Sequence, residues 1–139
     1  MDTSNILGTD HCGIYCEDRE DSLRLYRDIL GFRQLFSVDM PAPHNVNLTF
    51  IQKENLTIEL LTPSGDKRGI IEGAAGTLNH IAIKVQHIDE VVTELFELGY
   101  EFENPEAICV PAHGVPPVSI KIAFFRGPGG ERIELFEYI

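Results

Sequence analysis

Basic residues are scarce in this chain of 139: Lys and Arg number 11 against 22 for Asp and Glu, a formal charge of -11. Nucleic-acid binding needs a basic face that displaces phosphate counterions, and no Lys/Arg cluster here supplies one. Cysteines are also few. Cys12, Cys16 and Cys109 make an odd count with no Cys-x-x-Cys pair, a pattern that suits a reduced protein. No apolar run approaches the length that spans a bilayer. The opening Met1-Asp2-Thr3-Ser4-Asn5 lacks the basic and apolar regions of a secretory signal. These absences predict a cytoplasmic protein with no nucleic-acid and no membrane partner. With 43% of residues hydrophobic and 24% charged, the chain has enough apolar side chains for a packed core.

What the sequence does contain is an internal repeat. His11-Cys12-Gly13-Ile14-Tyr15-Cys16 and His80-Ile81-Ala82-Ile83-Lys84-Val85 are strand-like runs, each opening on a histidine. Asp21 and Asp89 follow as expected helix N-caps. Leu23, Tyr26, Ile29 and Leu30 then fall at helical spacing, as do Val91, Val92, Leu95, Phe96 and Leu98. Gly31 and Gly99, each followed by an aromatic residue, are expected where these helices end. Val46–Ile51 and Val118–Ala123 alternate like half-buried strands. Turn signals follow at Lys53-Glu54-Asn55 and at Arg126-Gly127-Pro128-Gly129-Gly130. Each half closes on nearly the same text, Ile58-Glu59-Leu60-Leu61 and Ile133-Glu134-Leu135-Phe136.

Each half therefore reads strand, helix, then about three strands. The expected fold is α+β: two pseudo-symmetric βαβββ modules, 8–62 and 77–139, within a single domain spanning 1–139. Their strands would form a curved, mostly antiparallel sheet around a central metal cavity, with both helices on its outer side. Between the modules runs a Gly-rich linker containing Pro63, Gly65, Gly69, Gly73 and Gly76.

Strand alternation puts Cys12, Ile14 and Cys16 toward the helix, as small core residues, with His11 on the other face. By the same count Glu59 and Glu134 point away from Ile58, Leu60, Ile133 and Leu135. A glutamate inside an apolar strand is costly unless it is paired or bound to a cation. Two such glutamates, matched to two histidines, point to His11, Glu59, His80 and Glu134 as ligands of one divalent metal ion. The mixed nitrogen and oxygen set suits Ni, Zn, Co, Fe or Mn.

These residues resemble the vicinal oxygen chelate superfamily, which includes glyoxalase I, methylmalonyl-CoA epimerase, fosfomycin-resistance enzymes, extradiol dioxygenases and bleomycin-binding proteins. The resemblance is carried by Asp10-His11-x-Gly13-Ile14, Leu25-Tyr26-Arg27-Asp28-Ile29-Leu30-Gly31-Phe32, Asn79-His80-Ile81-Ala82 and Gly127-Pro128-Gly129-Gly130-x-x-Ile133-Glu134-Leu135. It implies paired βαβββ modules and a chemistry in which a metal stabilises charge as a proton leaves a carbon next to a carbonyl. Glu134 is implied as the base, with Glu59 as a second catalytic carboxylate. Phe124-Phe125-x-Gly127-Pro128 is similar to glyoxalase I, making a lyase of that kind the expected function. Leu60-Leu61-x-Pro63 and Ala112-His113-Gly114 look closer to the epimerase, the alternative. A binding protein of the same fold is the non-enzymatic alternative. A homodimer and a small-molecule substrate are also implied.

Asn47, Thr49, Ser119 and Lys121 alternate with apolar neighbours and are expected to line the cavity as substrate contacts. Lys121 would face an anionic group there. His113 and His44 lie in Pro-rich loops, and His113 is the candidate for substrate contact. His87, just before Asp89, reads as a surface residue.

Overall fold

The computed structural model describes residues 1–64, 76–127, 130 and 132–139. Gly65, Gly69 and Gly73 of the expected linker, and Pro128 and Gly129 of the expected turn, lie outside the described residues.

Each half builds the same succession of elements. The first runs β1 (Ile6–Tyr15), α1 (Arg19–Leu23, continuing as a π-helical segment over Arg24–Ile29), β2 (Arg33–Met40), β3 (Val46–Lys53) and β4 (Leu56–Pro63). The second runs β5 (Leu78–Val85), α2 (Ile88–Glu97), β6 (Ile108–His113), β7 (Val118–Arg126) and β8 (Arg132–Tyr138). The fold is α+β, with two βαβββ modules. Hairpin neighbours β2/β3, β3/β4 and β7/β8 are antiparallel. The first strand of each module lies parallel to its last, β1 with β4 and β5 with β8. Among the described residues no helix is long and apolar enough to cross a membrane.

The chain divides into two compact units. One comprises His11–Asn79 and His113–Pro117; the other comprises Met1–Asp10, His80–Ala112 and Val118–Ile139. In the first unit, Leu23 of α1 packs on Phe32, Ile51, Ile58, Leu60 and Cys16, with Cys12, Ile14 and Tyr26 at the margin. Cys12 and Cys16 thus take their expected places against the helix side. Burial pushes the Cys16 thiol pKa up, which keeps it protonated and unreactive. In the second unit, Ile88, Val91 and Val92 of α2 pack on Val85, Ala123, Phe125 and Leu135. Each fully buried side chain of this size contributes about 1.5–3 kcal/mol.

The helices depart from the sequence expectation in three ways. First, α1 starts earlier than expected: Asp18 is its N-cap, its side chain accepting the Asp21 N–H at 3.1 Å. Asp21 is therefore in the first turn, where its charge suits the helix dipole. Second, Ile29 is 70% exposed, not packed beneath the helix. The segment's wider turn, in which the Leu30 N–H reaches the Leu25 carbonyl at 2.9 Å, breaks the 3.6-residue spacing and rotates Ile29 outward. In α2 the regular spacing holds for Val91 and Val92, whereas Phe96, on the outer side, is 68% exposed.

Third, α2 begins after His87, which has φ +54° and no capping side chain, so Asp89 is not the cap. The carboxylate of Glu137 on β8 does that work, accepting the N–H of His87 at 2.9 Å and of Ile88 at 3.1 Å. Sequence spacing could not show this because the partner lies 50 residues away. Glu137→Ala is expected to destabilise the protein by about 0.5–2 kcal/mol, the range for losing a cap. Urea unfolding checks this, and an Asp89→Ala control should leave the cap itself intact. Both helix ends follow the sequence expectation: Gly31 and Gly99 take φ +79° and +100°, values that glycine adopts freely.

Candidate metal centre

Strand register decides which side chains share a face with each glutamate. In the first unit Glu59 stands between Gly13 on β1 and Phe50 on β3. In the second, Glu134 stands between Ala82 on β5 and Phe124 on β7. A small residue on one side and a phenyl ring on the other therefore flank the carboxylate in both. The small neighbour leaves space beside the carboxylate, and the ring walls off its other side.

Each glutamate faces the histidine of its own unit. His11 Nε2 lies 3.2 Å from Glu59 Oε2, and His80 Nε2 lies 3.0 Å from Glu134 Oε2. All four residues are buried, from 1% exposed for His11 to 5% for Glu59. Desolvation makes such carboxylates costly without a partner, and in each unit the imidazole is one. The described side chains that could hold a metal ion are these four. The spacing within each pair suits that role. Two donors each about 2.1 Å from a common ion are about 3.0 Å apart at a right angle and about 3.4 Å apart at a tetrahedral angle. Imidazole nitrogen with carboxylate oxygen is also the donor mixture that first-row divalent ions accept.

A phenyl ring packs edge-to-face against each imidazole. Phe50 meets His11 nearly perpendicularly, with centroids 4.8 Å apart and planes at 83°. Phe50 is itself backed by Phe36, stacked at 4.3 Å and 22°. Phe124 meets His80 in the same way, at 5.6 Å and 88°. Its backing is a cation: the Arg132 guanidinium lies 3.8 Å from its ring centroid. Arg132 in turn donates to Glu103 through Nε at 2.8 Å and Nη2 at 2.9 Å. Those hydrogen bonds hold the Glu103 carboxyl below the usual carboxylate range, and the nearby charges of Arg132 and Arg126 add to the effect.

The polar candidates from the strands fall on the other face. Asn47 and Thr49 are opposite Thr62 and Leu60, the face of the helix-side core and not that of Glu59. There they form a partly buried network, with Thr49 Oγ1 donating to Asn47 Oδ1 at 2.6 Å and Asn47 Nδ2 donating to Asp39 Oδ1 at 2.8 Å. Lys121 is opposite Glu137, beside the Ala123–Leu135 pair, again the helix side. It forms a salt bridge with Asp89 of α2, whose hydrogen bond raises the Lys121 pKa. Ser119, two positions before Lys121 in the strand, accepts the Ala112 N–H at 2.8 Å. Both faces of β3 are buried, so its polar alternation did not reveal which face carried the glutamate. Apolar Phe50 and Phe124 occupy the glutamate face instead. The repeat carried a signal for them, since each lies one hairpin before its glutamate.

His113 ends β6, and its Nε2 is a buried atom with no hydrogen-bond partner among the described residues. The segment after it joins the edge of β2, where Val115 and Ser37 exchange backbone hydrogen bonds of 2.9 and 3.1 Å. His44 sits in a turn, its N–H donating to the Pro41 carbonyl at 3.0 Å, and His87 is exposed.

Residues 10–124 match the family model described as Glyoxalase/Bleomycin resistance protein/Dioxygenase superfamily, and the chain belongs to that family. It is 30% identical over 135 residues to human mitochondrial methylmalonyl-CoA epimerase, covering 94% of this chain and 74% of that protein. It is 31% identical over 121 residues to the ethylmalonyl-CoA/methylmalonyl-CoA epimerase of Cereibacter sphaeroides, covering 84% of this chain and 90% of that one. The crystal structure of methylmalonyl-CoA epimerase from Mycobacterium tuberculosis shares the fold, with a TM-score of 0.78 at 22% identity, covering 99% of this chain and 91% of that one.

Proposed function

We propose that the chain is a metal-dependent epimerase that inverts the carbon next to the carbonyl of an acyl-CoA thioester, and that His11, Glu59, His80 and Glu134 together hold its one divalent ion. The observation that carries this reading is the buried imidazole facing a buried carboxylate at equivalent strand positions of both modules. Relatives named as epimerases favour it over the glyoxalase I-like lyase that Phe124-Phe125-x-Gly127-Pro128 suggested.

When bound, the ion supplies a Lewis acid for the carbonyl oxygen, stabilising the charge that develops as the neighbouring C–H proton leaves. The remaining work belongs to the protein. His11 and His80 would hold the ion through Nε2, the atom each turns toward its glutamate. Glu134 takes the proton from the substrate carbon, and Glu59, the carboxylate of the other module, is the second group able to return one. Gly13 and Ala82 leave space beside these carboxylates, while Phe50 and Phe124 flank them on the other side.

The test is substrate turnover in deuterium oxide by Co²⁺-loaded protein, with methylmalonyl-CoA set against the hemithioacetal of methylglyoxal and glutathione. The expected result is deuterium at the α-carbon of the thioester together with equilibration of its two epimers. Turnover of the hemithioacetal with the thioester untouched would return the reading to glyoxalase I.

A further inference from the structure

We infer that Arg132, held by Glu103, is a positioning residue that orients the His80 imidazole through the ring of Phe124. This rests on the function proposed above, because His80 belongs to the proposed donor set. Four contacts in the second unit make the link continuous. The guanidinium lies 3.8 Å from the Phe124 centroid, and that ring stands perpendicular to His80 at 5.6 Å. Glu103 fixes both outer partners, taking two hydrogen bonds from Arg132 and donating its own N–H to the Phe124 carbonyl at 2.9 Å. A guanidinium gripped by two parallel hydrogen bonds is a flat plate with little freedom, so the ring packed on it is confined as well.

The first unit supports this reading independently. There Phe36 is stacked on Phe50, and Phe50 stands perpendicular to His11. Both units therefore place a flat group on a phenyl ring and the ring against the metal-type histidine. In one unit the flat group is a benzene ring, in the other a guanidinium. An ion pair serving only the surface would have no reason to reproduce that layering. With side chains 24% and 36% exposed, Arg132 and Glu103 are also more sheltered than the Arg19–Glu20, Arg24–Asp21 and Arg27–Asp28 pairs of the first unit.

The test uses the full chain and three variants: Arg132→Ala, Glu103→Ala and Arg132→Phe. Two quantities are read: the side-chain ¹H–¹⁵N resonances of His80 in metal-free protein, and Co²⁺ affinity by titration calorimetry. Urea unfolding confirms that each variant is folded. Both alanine variants are expected to shift the His80 resonances and weaken Co²⁺ binding by about tenfold or more, as loss of a group orienting a metal ligand does. The His11 resonances should stay in place. Arg132→Phe is expected to bring both readouts back toward the parent, because a ring there copies the role of Phe36. A merely structural ion pair would lower the unfolding midpoint without moving His80. The inference is overturned if His80 is unmoved in both alanine variants, or if Arg132→Phe displaces it as far as Arg132→Ala does. Should the alanine variants not fold, Arg132→Phe decides alone: parent-like His80 resonances support the inference and displaced ones overturn it. Parent protein that takes up no Co²⁺ would defeat the proposed function, while the metal-free His80 resonances would still decide this inference.

Discussion

The Glu134→Gln protein is expected to exchange the α-proton of an acyl thioester about 10²–10⁴-fold more slowly than the parent, the range for removing a general base. Glutamine keeps the shape of the side chain, and its amide oxygen can still meet His80 Nε2, which lies 3.0 Å from the carboxylate it replaces. The Ala82 and Phe124 neighbours keep their contacts, so the unfolding midpoint should change little. Lost charge and lost basicity are then the main changes. Assays at saturating Co²⁺ separate the proton step from weaker metal binding, and deuterium uptake followed by NMR reports that step directly. Glu59→Gln is the informative partner, because Glu59 occupies the equivalent position in the first module. An inert Glu59→Gln beside an exchange-competent Glu134→Gln would reverse the two roles.

Phe50→Ala should have the largest effect on stability, about 3–5 kcal/mol, as expected for emptying a buried aromatic site. Phe50 is 2% exposed, stacks on Phe36 at 4.3 Å and stands against His11 at 4.8 Å. Its loss removes burial and ring stacking together, and the strands around it can close the gap only in part. Since domains of this size are stable by only about 5–15 kcal/mol in total, that is a large fraction. Phe50→Leu keeps much of the volume and should cost less, yet it removes the ring that steadies His11. Urea unfolding measures the first effect, and the His11 side-chain resonances report the second. A loss under about 1 kcal/mol for Phe50→Ala would mean that the site collapses readily around the gap.

Much of this arrangement was legible in the chain. The matched texts around His11 and His80, and around Glu59 and Glu134, disclosed two modules and nominated all four proposed ligands. A charged residue repeated inside an apolar strand is costly enough to stand out in a single sequence. Core cysteines and the glycines at helix ends were equally readable, because each answers to a local rule of size or backbone freedom. The N-caps were less so. Asp18 and Asp21 both suit a helix start, and only the backbone path chooses between them.

The linear text determined the duplication and the secondary-structure order, and it nominated the histidines and glutamates proposed as donors, since these follow from periodicity and from the cost of burying charge. Tertiary structure decided what surrounds those donors. Whether Thr49 or Phe50, and Lys121 or Phe124, shares a face with a glutamate depends on strand register, and a shift of one residue exchanges the faces. Glu137 capping α2, and Glu103 gripping the guanidinium over Phe124, likewise join residues far apart in the chain. Such contacts form only when packing brings their segments together, and no local pattern encodes them.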